Sequence, residues 1–366
     1  MLRHPSSART LGLGLALLLL VGVLCAVLVR NGNPGNMGVC GACFLRDAAG
    51  SLGLVAPPVR EKIAYLRPEI AGLVLGAFLL ALSRGRFTAR SGTHAGSRFV
   101  LGLFMGIGAL VFLGCPFRML QRLGAGDLNA VAGLAGFVPG VLVGLLLERR
   151  GYGLGKSSEA PAPVGLQGPA MVGILVALAL SGALFGPVPG GGGAGPARAP
   201  FLLSLAVGAV AGAALSATGF CAVLAARQIV LPQKGVLLGA VAIVAGYGLV
   251  LAASGGWNGG STDQPVAHTD GLWNAISMAL VGLTGVLAGG CPVRQIVMVG
   301  EGHADALVTC GGILVGGAIA HDLGLASSAA GPTSAGTWAV VLGLAWALAY
   351  GIAMTPWRRA GAGDAP

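Results

Sequence analysis

Charge is what this chain most conspicuously lacks. Only 9% of its residues are Asp, Glu, Lys or Arg, where soluble domains carry about 25%. Together with 55% hydrophobic residues and a mean hydropathy of +0.84, this excludes an ordinary soluble domain and points to a membrane. Acidic residues are scarcest, 12 against 22 Lys and Arg, giving a net charge of +10. The basic residues fall in short clusters between apolar segments, without the basic and aromatic face that nucleic acid requires. No nucleic acid is expected as a partner. Long polar loops bearing cysteine are also missing, which excludes an extracellular disulfide framework. The seven cysteines read as free thiols.

Several motifs are absent or incomplete. Cys40 and Cys43 form C-G-A-C, but no second CxxC or Cys-His spacing follows, so no metal site is expected. GYGLGKS at 151–157 resembles a phosphate loop, yet the first glycine such a loop needs falls at Arg150. That segment reads instead as a flexible linker that continues through Pro161, Pro163 and Pro169. A second linker, PVPGGGGAGPARAP, spans 187–200. The histidines at 4, 94, 268, 303 and 321 are scattered with no nucleophile and base around them. No hydrolase site, no cofactor and no enzymatic activity are expected.

What is present is a series of long apolar runs. Stretches of about 20 residues give ten candidate spans, near 11–29, 63–83, 98–114, 130–147, 170–186, 201–216, 235–253, 272–289, 305–322 and 336–354. The run from Leu11 to Val29 follows Arg3 and Arg9 but is long for a signal peptide and has no A-x-A site, so it reads as a retained span. Arg84, Arg86 and Arg90, then Arg149, Arg150 and Lys156, mark loops expected on the cytoplasmic side. In phase with them, Arg358 and Arg359 put both termini in the cytoplasm, and the membrane expected is the cell inner membrane. The 30–62 connection is expected outside yet carries Arg30, Arg46, Arg60 and Lys62, a conflict resolved by a segment that dips into the bilayer and returns.

Four short segments between spans share a cysteine followed by an arginine: Cys40, Cys43 and Arg46; Cys115 and Arg118; Cys221 and Arg227; Cys291 and Arg294. GCPFR at 114–118 and GCPVR at 290–294 agree at four of five positions and are trailed by GAGD and GEGHAD. MGVC at 37–40 similarly resembles TGFC at 218–221. Spans one to four then correspond to spans six to nine, five crossings apart, so the halves are expected to be inverted with their motifs converging near the midplane. The first repeat covers 1–150, linkers and span five cover 151–200, the second repeat covers 201–322, and span ten with its tail covers 323–366.

The motif chemistry suits an anion. Pro116 and Pro292 fit the first turn of a short helix, which puts Cys115 and Cys291 at helix N-termini. Free N–H groups and the positive dipole end attract negative charge there, and a nearby arginine adds to it. Thiols suit a soft sulfur or selenium atom, while N–H or guanidinium groups suit oxygens. Asp47, Asp127 and Asp305 are the expected structural counter-charges of the motif arginines. Cys25 and Cys310 lie outside the repeats and read as packing residues.

At GCP-x-R and at NMGVCGACFLRD, 36–47, the chain resembles the YeeE/YedE sulfur-transport family, most nearly its YedE branch of selenium transporters. The likeness runs from about residue 11 to 354 and includes LRPEIAGLVLGAF at 66–78 and FLGCPFRMLQRLGAGDLNAVAGL at 112–134. It implies an hourglass of helices in which short half-membrane helices meet at a waist and cysteines pass the solute along through thiol hydrogen bonds. By motif, Cys115, Cys221 and Cys291 would be the waist thiols and Cys40 would stand at the outer vestibule. The CxxC and the N-terminal extension set this branch apart, so the substrate is not carried over with the fold.

The expected function is passage of a small selenium- or sulfur-containing solute through a thiol-lined, all-α polytopic protein. The pathway residues would be Cys40, Cys43, Cys115, Cys221, Cys291, Arg46, Arg118 and Arg294. Two rivals stand beside it. One is a membrane thiol oxidoreductase cycling Cys40 and Cys43 through a disulfide. The other is a permease subunit feeding a cytoplasmic sulfur or selenium carrier protein.

Overall fold

The computed structural model describes residues 8–155, 157–186 and 197–356. Arg3, His4, Lys156, Trp357, Arg358, Arg359 and most of the 187–200 tract lie outside the described residues. The fold is almost wholly helical. Its first part holds α1 (Ala8–Arg30), α2 (Gly41–Ser51), α3 (Pro57–Ile63), α4 (Pro68–Ser83), α5 (Ala95–Val111), α6 (Pro116–Gly124) and α7 (Asn129–Arg149). After α8 (Ala162–Leu180) come α9 (Phe201–Thr218), α10 (Ala222–Arg227), α11 (Gly235–Ala253), α12 (Gly271–Leu287), α13 (Pro292–Gly300) and α14 (Ala304–Asp322). The last helix is α15 (Ser334–Ala353). A two-residue antiparallel ladder, β1 (Arg90–Ser91) against β2 (Ser158–Glu159), is the only sheet among the described residues.

Among the described residues, nine helical segments are long and apolar enough to cross a membrane, and α3 with α4, bent by 64°, makes up to a tenth. The protein is therefore a polytopic helical membrane protein. The second span starts later than expected, at Pro68, because Pro68 and the extended residue before it begin a new helix. Span five starts earlier, at Ala162, and takes in Pro163 and Pro169. Pro163 sits in the first turn, where no intrahelical N–H is lost, and the interior Pro169 is of a kind membrane helices tolerate. Residues 151–155 and 157–159 are not a free linker. Tyr152 is buried with its hydroxyl donating to Leu287 O at 3.1 Å, Thr93 Oγ1 donates to Leu154 O at 3.1 Å, and Ser158–Glu159 pairs with β1.

Glycine decides which helices pack. The dominant pairs are α1 with α11, α4 with α9, α5 with α14 and α7 with α12. Gly72 and Gly76 of α4 face Gly208 and Gly212 of α9, and a Cβ at any of the four would strike the partner's backbone. The same holds for Gly102 and Gly106 against Gly312 and Gly316, for Gly136 and Gly140 facing Ala275 and Ala279, and for Gly22 and Gly246 across α1 and α11. These four-residue spacings let backbones approach where no hydrophobic force drives association between helices. The pairs enclose the short helices α2, α6, α10 and α13, which carry the motifs.

Candidate functional site

Each motif builds its helix in the same way. Cys40, Cys115, Cys221 and Cys291 are the extended N-cap residues of α2, α6, α10 and α13. Pro116 and Pro292 occupy the first helical turn that follows. All four cysteines are buried and free, as is Cys43, which lies in the first turn of α2. The residue before the Gly-Cys of each GCP motif has a positive φ, +64° at Leu113 and +88° at Gly289. Glycine takes that conformation without strain, whereas leucine pays about 1 kcal/mol. Arg118 Nη1 donates to the Leu113 carbonyl and so holds the strained turn.

The four N-termini adjoin one another. Gly41 N–H donates to Cys115 Sγ at 3.3 Å, and the Cys40 thiol lies within hydrogen-bonding reach of both the Cys43 and the Cys115 thiols. Cys43 N–H donates to Cys40 Sγ at 3.4 Å. On the other side Cys291 N–H donates to Cys221 Sγ at 3.5 Å, and these two thiols also meet. Gly41 joins the two groups: a Cβ there would lie 2.9 Å from both Pro292 Cβ and Val293 N. Phe117 and Phe220 meet edge to face at 6.1 Å between ring centroids.

The arginines are placed unequally. Arg118 is fully buried, so it does not snorkel to a headgroup. Its guanidinium donates to the carbonyls of Gly35, Asn36, Leu113, Pro265 and Val266 and, among the described residues, to no carboxylate. Asp127 pairs instead with Arg122 at 2.6 Å, also fully buried. Arg294 is held bidentately by Glu301 at 3.0 and 2.7 Å, while Asp305 pairs with Arg98 at 3.3 Å and accepts from Gly92 N–H. Asp47 is shared between Arg46 and Arg67, at 2.5 and 2.7 Å. Arg227 pairs with Glu148 at 2.7 Å. The expected aspartates are thus all in ion pairs, but Asp127 and Asp305 serve other arginines than those of their motifs.

Sequence reasoning passed over Gln121. Its side-chain oxygen accepts from Gly38 N–H at 2.8 Å and its amide donates to Val39 O at 2.5 Å, which fixes the backbone entering Cys40. Glu69, Arg67, Arg122, Glu301 and Glu148 were passed over too. A signal existed for α6: Arg118, Gln121 and Arg122 stand at helical spacing, a polar stripe on an otherwise apolar segment. For Glu69 there was none, because its partners Asn33 and Ser204 come from distant parts of the chain.

No protein-family profile matches the chain, and no curated protein matches it. The site is therefore read from its own geometry. Two cavities lie beside the motif segments. One, of about 580 Å³, is lined by Gly35, Arg46, Lys62, Leu113 and His321. The other, of about 390 Å³, is lined by Cys221, Arg227, Glu148 and the Gly289–Gly290 turn before Cys291. No cysteine lines the first cavity, which reaches the motifs through Arg46 and Leu113, whereas Cys221 lines the second. Cys25 and Cys310 take no part: the Cys25 backbone packs against Gly38, and Cys310 lines an apolar space with Phe44 and Met171. Among the described residues no group of three potential metal ligands occurs.

Proposed function

We propose that this protein is a transporter that carries a small sulfur- or selenium-containing anion across the cell inner membrane, with both termini in the cytoplasm. The observation that carries the reading is the paired thiols at four converging helix N-termini, with two cavities beside their motif segments and a buried Arg118 with no carboxylate partner. Helix N-termini and an unneutralised guanidinium favour an anion, whose burial without such groups would be prohibitive. Thiols are weak donors, so they can contact a polarisable terminal sulfur or selenium without trapping it as strong donors would. The cavity bearing Arg46, Lys62 and His321 would be the outer vestibule and the one at Cys221 the inner. Solute would pass from Cys40, Cys43 and Cys115 to Cys221 and Cys291.

The halves are read as inverted repeats meeting at this waist. Helix pairing supports that reading. Replacing α1, α4, α5, α6 and α7 by α9, α11, α12, α13 and α14, and the reverse, turns the α1–α11 contact into α9–α4 and the α5–α14 contact into α12–α7. The same exchange turns the α4–α13 contact into α11–α6. With the motif likeness, this favours membership of the YeeE/YedE family. A transport role gives the thiols no chemical step to perform, so no enzymatic activity is assigned.

The test is uptake into proteoliposomes of radiolabelled thiosulfate and selenosulfate against sulfate, which has the charge but no soft terminal atom. Uptake of either soft anion at least about ten-fold above sulfate, a preference of about 1.4 kcal/mol, is expected. Equal entry of sulfate, or no uptake above protein-free vesicles, would overturn the reading.

A further inference from the structure

A second charged concavity stands apart from the thiols. It is a cleft of about 230 Å³ at the C-terminal end of α4, lined by Arg84, Arg86, Arg90, Thr88, Ser216 and His303 beside Glu301. The arginines come from the loop after α4, and His303 from the turn after α13. The loop is fixed in place: Arg90 N–H donates to Gly302 O at 3.0 Å, and Arg90–Ser91 forms the ladder with Ser158–Glu159. The one acid in the lining is already occupied. Glu301 takes both nitrogens of Arg294 and the Ser216 hydroxyl, the latter at 2.8 Å. Arg84, Arg86 and Arg90 have no ion-pair partner among the described residues.

A membrane orientation signal needs basic residues in a loop, but it does not need three of them gathered on one polar cleft with two hydroxyls. Like charges brought together at a fixed place repel unless an anion is shared between them. Guanidinium groups pair with phosphate oxygens through parallel N–H bonds. Basic pockets between membrane helices at the cytoplasmic end are suited to anionic headgroups.

We infer that this cleft binds a phosphate group, presented either by an anionic phospholipid headgroup or by free phosphate. Thr88 adds a hydroxyl donor that a plain surface charge cluster would lack, while the Ser216 hydroxyl is engaged in holding Glu301. Because Glu301 also holds Arg294 of the fourth motif, the bound phosphate sits one side chain away from the α13 helix. The inference does not depend on what the thiols carry.

The test uses the purified full-length chain in detergent, titrated by native mass spectrometry with phosphatidylglycerol and phosphatidylcholine, and separately with labelled inorganic phosphate in equilibrium dialysis. Each arginine near a membrane surface contributes about five-fold, so Arg84→Gln/Arg86→Gln should weaken binding about 30-fold. Arg149→Gln/Arg150→Gln, which removes the same charge from another loop, should not. Phosphatidylglycerol preference lost only in the first variant assigns the headgroup; phosphate binding lost only in that variant, without lipid preference, assigns the free anion. If the double variant does not fold, Thr88→Glu places a carboxylate in the same cleft and should abolish binding. Wild-type protein that binds neither probe, or a folded cleft variant that binds both as well as the wild type, overturns the inference.

Discussion

At the scale of single residues, Arg118 is a fully buried charge with no carboxylate partner among the described residues. A fully buried guanidinium bonded only to carbonyls can be tolerated because its three nitrogens reach five carbonyls converging from three segments, with Nη2 shared among those of Gly35, Pro265 and Val266. Lysine keeps the charge but cannot span them. Arg118→Lys should cost about 2 kcal/mol, two lost hydrogen bonds of about 1 kcal/mol each, and should also slow uptake. Thermal unfolding in detergent and proteoliposome uptake would check this; wild-type behaviour in both would mean the carbonyl cage is incidental. The presence of this arginine was legible in the GCP-x-R motif, but its partners were not. Sequence proximity suggests Asp127, which lies nine positions on, about 13 Å along a helix. Arg122, on the last turn of α6, is the arginine that reaches it. Arg294 likewise uses Glu301 at the far end of its own short helix rather than Asp305, which caps the contact between α14 and α5.

At the scale of helices, the glycines specify the partners. Gly76→Leu should force α4 off α9, because even a Cβ there collides with the Ala209 carbonyl. Overpacking of this kind costs about 1–3 kcal/mol where side chains can give way, and more where backbone must move. Gly173→Leu in α8 is the control, since a Cβ there meets nothing within 4 Å. Folded yield after detergent extraction, measured by size-exclusion chromatography, should fall for the first variant and hold for the second. Equal yields would contradict the role given to the small-residue seams. The apolar runs made almost every span legible, since length and hydropathy alone define one. The bend between α3 and α4 and the early start of α8 were not, because prolines mark helix starts and linkers alike and only packing decides which.

At the scale of the whole molecule, the thiol cluster stands at the junction of four helix starts that are far apart in sequence. The recurring Gly-x-Cys and Gly-Cys-Pro segments made the cysteines legible. Their grouping as Cys40, Cys43 and Cys115 on one side and Cys221 and Cys291 on the other was not, since it depends on how two halves of the chain interlock. The central claim is that solute passes over these thiols, and the most direct measurement is thiosulfate uptake by Cys115→Ala, Cys221→Ala and Cys291→Ala, each with its serine counterpart. Folding should stay nearly intact. Uptake should drop about ten- to hundred-fold in the alanine variants, the worth of one hydrogen bond to a charged group, and serine should restore it only in part. Cys310→Ala should transport normally. Full uptake in all three alanine variants would make the motif cysteines packing residues and contradict the account.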